Sequence, residues 1–243
     1  MLSGAKIENR TIPFYTTFIQ KLVLLEAGLK GRGRYDISGL EEAKFEPGST
    51  GGVLKNLLSI KRKREMDRIE AREHLRTLEE LVEIYDEKHK FTASDVCQIH
   101  KIWLGSIYSW AGKYRLINLS KGNFPFAPAR EIPRLMNEFE EGPLREHTPC
   151  HFGSEGKTAE VLAVVHTELM LIHLFREGNG RVGRMLSVLM SLQAGLPPLD
   201  FRGILGKSRQ EYFSAVQAGL SRNYRPMEEI FKSVIRKTLQ THA

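Results

Sequence analysis

The sequence predicts an all-α protein that carries a single β-hairpin. Three observations point there. Apolar residues recur three and four apart through most of the chain, the period of an amphipathic helix. One stretch, 113–126, sets short apolar runs on either side of a turn signal. The segment Thr158–Phe175 is apolar on nearly all its sides, as expected of a helix at the centre of a core.

Taken in order, residues 1–11 are polar and either irregular or one short helix. Phe14, Phe18, Leu22, Leu25 and Leu29 then mark a helix over 13–29, and 30–52 reads as a loop rich in glycine and charge. A long helix is expected from Lys63 to His89, with Met66, Ile69, Leu75, Leu78, Leu81, Val82 and Tyr85 inward. Thr92 or Ser94 caps the next helix, which turns Val96, Ile99, Trp103, Ile107 and Trp110 inward and ends at Gly112. The hairpin follows, turning at Lys121-Gly122-Asn123. Ile132–Glu141 makes a short helix, and 142–157 reads as a loop. Thr158–Phe175 is the central helix, and His166 on it is expected to be a hydrogen-bonded structural residue. Beyond a turn at 176–180, a helix buries Val182, Met185, Leu186, Leu189 and Met190 and stops at Gly195. Segments 207–220 and 225–240 are two more amphipathic helices.

Composition narrows the class. A chain of 243 residues, 41% hydrophobic, can bury a sizeable core. No run is apolar enough to span a bilayer, and the opening MLSGAKIENR lacks the basic-then-apolar pattern of a leader. Cys97 and Cys150 have no metal spacing and fit a reducing compartment, so the expected location is cytoplasmic. The net charge of +7 comes from basic residues mostly interleaved with acidic ones. The exception is Lys61-Arg62-Lys63-Arg64, read as a solvated helix start. Nucleic acid is therefore not the favoured partner and a membrane is not expected. A homo-oligomer stays open.

The informative stretch is His173–Arg184, HLFREGNGRVGR. Gly178 and Gly180 permit a tight turn and close approach of an anion to the backbone. A helix starting at Asn179 directs its first N–H groups, and about half a positive charge, at that turn. Arg181 and Arg184 share a helix face and offer forked donors suited to phosphate. Glu177 is a hard oxygen ligand of the kind that holds phosphate-bound Mg²⁺. His173 is the nearby side chain ready to accept a proton near neutral pH.

This stretch resembles the Fic family motif HxFx(D/E)GNGRxxR at every specified position. It is similar to the GNGR type rather than the Doc-type variant, which phosphorylates. The resemblance implies a Fic-type helical bundle with a hairpin flap beside the active site, an N-terminal helical and loop extension over 1–60, and a catalytic domain over 61–243. Gly51–Ile60 resembles the stretch that precedes the core in many such proteins. The implied reaction is transfer of AMP from ATP, with Mg²⁺, to a Tyr, Thr or Ser hydroxyl of a target protein. In that reading His173 is the base and Glu177 the metal ligand. The turn amides and the Asn179 side chain hold the α-phosphate, Arg181 and Arg184 the outer phosphates, and Tyr212 the nucleoside. Asn118, Leu119, Ser120, Lys121, Gly122, Asn123 and Phe124 form the flap, which pairs with an extended target segment by strand addition.

The family is often held off by a glutamate in the motif (S/T)xxxE(G/N), which pairs with the second motif arginine. Glu8-Asn9 ends this pattern correctly, with Gly4 where Ser or Thr is expected, so Glu8 is the candidate inhibitor. A small antitoxin-like partner is the alternative. Two other functions stay open: transfer of another phosphate-containing group, such as UMP or phosphocholine, and a nucleotide-sensing or DNA-binding regulator without transfer activity.

Overall fold

Helix formation follows the apolar periodicity through a computed structural model that describes residues 39–50, 52–203 and 209–242. The helix expected at 13–29 and the candidate Glu8 lie outside the described residues. Helix α1 spans Lys63–Ile84 and buries Met66, Glu70, Thr77 and Leu81. It stops short of the expected His89, where the Asp86 side chain takes the Lys88 amide at 2.9 Å and turns the chain. Leu75 and Val82, expected inward, are 66% and 47% exposed. At about 100° per residue, both lie on the side of the helix opposite Met66.

Helix α2, Ala93–Leu104, opens on a full capping box made by Thr92 and Asp95. It was expected to reach Gly112 and ends eight residues earlier. The Ile107 carbonyl is engaged by the Leu57 amide at 2.8 Å, so the chain leaves the helix in tight turns that bring Trp110 back onto Tyr108. Strands β1, Ser120–Lys121, and β2, Phe124–Pro125, pair antiparallel with Ser120 opposite Pro125. Helix α3, Ile132–Phe139, continues into a π-helical turn, Glu140–Leu144, and a last turn at Arg145–His147, where a loop was expected. Fully buried Leu144 anchors this stretch.

Helix α4, Glu155–Ile172, is capped by Ser154 and buried on nearly every side. It packs chiefly against α5, Asn179–Gln193, and α7, Arg225–His242, while α6, Arg209–Ala218, lies across α4 and α7. Trp103, Phe139, Phe175 and Phe231 fill the core between them. Residues 41–60 lie against this core: Val53 and Leu54 are buried in it, and Glu42 sits in a 3-10 turn, Glu41–Ala43. Lys61 to Arg64 are all exposed, as a solvated helix start should be. Among the described residues no helix is long and apolar enough to cross a membrane.

Candidate active site

The central helix does not run through to Phe175 as expected. It ends at Ile172, and His173 takes the left-handed conformation, with φ 53° and ψ 56°. A residue with a Cβ pays about 1–2 kcal/mol to sit there. The turn of the backbone carries the imidazole out of the helix and onto Phe126, just beyond β2, with ring centroids 3.6 Å apart and planes within 10°. Burial, then the Arg115 cation, push the imidazole down to about 3; the Met170 carbonyl beside it pulls weakly the other way. The ring is therefore neutral at physiological pH and able to accept a proton.

Gly178, with φ +87°, precedes α5. A Cβ there would lie 2.7 Å from the Trp103 ring. The amides of Asn179 and Gly180 are the first of α5, which a helix leaves without internal acceptors. The Asn179 side chain was expected on the phosphate. It is 2% exposed, and its two ends bond the Phe175 backbone, accepting from N and donating to O at 2.8 Å each. It thereby shapes the turn.

His100 ties the turn to α2. Its Nδ1 accepts from the Gly112 amide at 2.8 Å, so its proton is on Nε2, which donates to the Glu177 carbonyl at 3.1 Å. Its ring stacks on Phe175 at 3.8 Å. The Glu177 side chain is half-exposed, and its two recorded contacts, from the Gly178 amide and Arg181, both use Oε1.

Arg181 is not free to swing. Its guanidinium lies 4.3 Å over the Trp103 ring and 2.8 Å from the Glu70 carboxylate. Glu70, 3% exposed, also accepts from the Tyr108 hydroxyl at 2.8 Å. Arg184 has no ion pair among the described residues, and burial lowers its proton affinity, as does Arg181. Tyr212 is fixed by His166. The Ser187 hydroxyl spends its proton on the Gly183 carbonyl, so His166 Nδ1 donates to Ser187 and Nε2 accepts from Tyr212 at 2.6 Å. His166 is thus the hydrogen-bonded residue the sequence led us to expect.

These elements enclose a cavity of about 370 Å³ lined by His173, Glu177 to Arg181, Arg184 and Tyr212, with Lys121 from the flap. Of the expected flap, Lys121 lines the cavity, its ammonium 4.5 Å over the Phe213 ring. Ser120 and Phe124 lie on the paired strands, and Gly122 and Asn123 make the turn between them. Leu119 closes the hairpin base, its carbonyl accepting from the Phe126 amide at 3.0 Å. Asn118 accepts from the Ala129 amide at 2.8 Å. Arg176 and Arg209 also line the cavity and were not anticipated. Glu70 carried a signal: it shares the inner face of α1 with Met66 and Leu81, where a carboxylate needs a partner. Arg115 and His100 carried none, because their partners are backbone groups distant in sequence.

Alanine at Gly178 should cost about 1–3 kcal/mol, from the left-handed backbone and from the clash with Trp103. It should also weaken nucleotide binding by disturbing the ring under Arg181. Thermal unfolding and titration with a non-hydrolysable ATP analogue measure the two effects.

A mainly helical scaffold sets a neutral histidine, a helix N-terminus and an arginine without an ion pair among the described residues around one cavity, beside a hairpin, an arrangement similar to that of Fic domains. Residues 90–191 match the Fic/DOC family model. It is 33% identical over 145 residues to protein adenylyltransferase VbhT of Bartonella schoenbuchensis, covering 59% of this chain and 30% of that protein. It is 28% identical over 142 residues to protein adenylyltransferase fic-1 of Caenorhabditis briggsae, covering 58% of this chain and 26% of that protein. The match therefore spans under a third of the length of either relative. In structure it resembles the N-terminal Fic domain of a VirB-translocated Bep effector protein from Bartonella quintana, with bound ADP. There the TM-score is 0.63 at 27% identity, over 80% of this chain and 94% of that one.

Proposed function

We propose that this protein transfers AMP from ATP to a tyrosine, threonine or serine hydroxyl of a target protein. The observation that carries the reading is the meeting of His173, the α5 N-terminus and the flap in one cavity. The names of the relatives and the ADP bound by the Bartonella quintana domain agree with it. We take 61–243 as the catalytic domain and 1–60 as an extension.

In this reading the triphosphate lies on the turn. The Asn179 and Gly180 amides receive the α-phosphate, and Arg184 and Arg181 the outer phosphates. Tyr212, held by His166, contacts the nucleoside. Among the described residues there is no cluster of three or more metal-binding side chains. One carboxylate suffices for Mg²⁺ that is otherwise held by phosphate and water, and Glu177, with Oε2 uncommitted, fits that demand. Held there, the ion would neutralise phosphate charge. The flap presents the acceptor hydroxyl. With Nδ1 buried, Nε2 of His173 takes the hydroxyl proton as the oxygen bonds to the α-phosphorus. The bond from that phosphorus to the bridging oxygen breaks, and pyrophosphate leaves. Preorganised donors and in-line positioning supply most of the acceleration.

The same reading includes a cytoplasmic location and a brake acting on Arg184, either Glu8 or a small antitoxin-like partner. Incubation of the purified protein with Mg²⁺ and ATP, followed by intact mass measurement, tests the reaction. One added AMP per chain or per target supports it. Labelling from UTP or CDP-choline in place of ATP would overturn it in favour of another transferred group.

A further inference from the structure

We propose that Arg115 is a positioning residue that clamps the end of α4 to both arms of the flap, and so sets His173 against the bound target. The proposal rests on the reading of His173 as the proton acceptor. Arg115 is 0% exposed. Its Nε donates to the His173 carbonyl at 2.7 Å. One terminal nitrogen donates to the Ile117 carbonyl at 2.6 Å, on the arm entering the hairpin. The other donates to the Ala127 carbonyl, on the arm leaving it, and to the Ile172 carbonyl at 3.4 Å. Its own amide bonds the Leu174 carbonyl at 2.9 Å. One guanidinium therefore spans three chain segments that transfer requires in register.

An ordinary structural arginine in a core has a carboxylate partner, because an unpaired buried charge is costly. Among the described residues Arg115 has no ion pair. Its acceptors are carbonyl groups, two of them at the C-terminal, negative end of α4. The nearest acid, Glu42, spends its carboxylate on the amides of Leu116 at 2.6 Å and Ile117 at 3.1 Å. It thus braces the same arm from the other side. The left-handed His173 is the residue whose carbonyl Arg115 holds, and Phe126, on which the imidazole stacks, is the neighbour of Ala127. The guanidinium fixes both ends of that stack. Lysine cannot substitute, since it lacks the planar fork that reaches carbonyls on three segments.

The test compares the full chain with Arg115→Met, Arg115→Lys and a stability-matched control, Val234→Ala on α7. Two readouts are needed: kcat and KM for ATP, and the ring-current shift that Phe126 imposes on the His173 ring protons. In Arg115→Met, kcat should fall on the order of 10²-fold, the loss expected for a displacement of about 1 Å. KM for ATP should stay within about threefold, because the phosphate contacts lie on α5. The ring-current shift should collapse. Arg115→Lys should lose about tenfold or more in kcat, and it decides the matter if the methionine variant does not fold. Unchanged kcat in the folded variants, an unchanged ring-current shift, or an equal loss of kcat in Val234→Ala would each overturn the proposal. If the wild type transfers no AMP, the reading of function fails separately, and the ring-current shift still decides whether the clamp exists.

Discussion

Replacing His173 with alanine should lower AMP transfer by about 10²–10⁴-fold, the range for loss of a positioned proton acceptor, while nucleotide affinity survives. The separation follows from the layout. In the proposed reading the phosphate contacts come from the α5 N-terminus, Arg181 and Arg184, none of which is the imidazole. Glu177 is the one carboxylate among the described lining residues, and the proposed reading gives it to the metal. Alanine inherits the left-handed backbone at similar cost, so the turn should persist. Rapid-quench measurement of AMP transfer beside calorimetric titration of ATP reads both quantities. Full activity in the variant would remove His173 from the mechanism, and loss of nucleotide binding would mean that the turn depends on it.

A second large effect should appear in acid. His100 and His166 are 0% and 2% exposed, and burial drives each down to about 3. Below the ordinary histidine value of about 6.5 the unfolded chain takes up these protons and the native protein does not. Each group then removes about 1.4 kcal/mol of stability per pH unit. Glu168 acts in the opposite sense. Burial raises its carboxyl to about 7, so the native state holds a proton that the unfolded chain lacks between about pH 7 and 4.5. That cancels roughly one histidine. His173 and the less buried His74, lowered to about 3 and about 4, add two more protons on the histidine side. The net is close to three protons, or about 4 kcal/mol per pH unit between pH 6 and 5. Against a typical stability of about 5–15 kcal/mol, unfolding should set in well above pH 4. Urea midpoints at pH 7, 6 and 5 test this, and a flat profile would mean that these histidines are charged in the native protein.

What the sequence disclosed was whatever rests on local pattern. The helical period located the described helices, and the turn signal located the hairpin. The twelve residues from His173 to Arg184 brought the base, the turn and the arginines together because they are contiguous. Its failures have one physical source. Leu75 and Val82 look inward by hydrophobicity, but only the position of neighbouring helices decides which side of α1 is covered. The break at His173 is invisible because histidine is a poor choice for a left-handed cap; carbonyls taken by Arg115 hold it there. That the Asn179 side chain bonds the Phe175 backbone at both ends depends on the turn geometry, which the motif alone does not give. Glu70, His100 and Arg115 reach the site across 111, 77 and 58 positions of chain, a separation no local pattern encodes.

Trimming the chain back to Lys61 would remove more than a tail. Glu42 is joined to the molecule at three places: its carboxylate to the amides of Leu116 and Ile117, and its carbonyl to Arg176 Nε at 2.9 Å. Without it the buried Ile117 amide loses its acceptor, and Arg176, which opens the turn, loses its tether. A shortened fragment would therefore keep every motif residue and yet present a slack hairpin. Traction applied upstream of Glu42 would travel along the same three bonds, to the flap arm and to the turn that the proposed reading assigns to target and nucleotide.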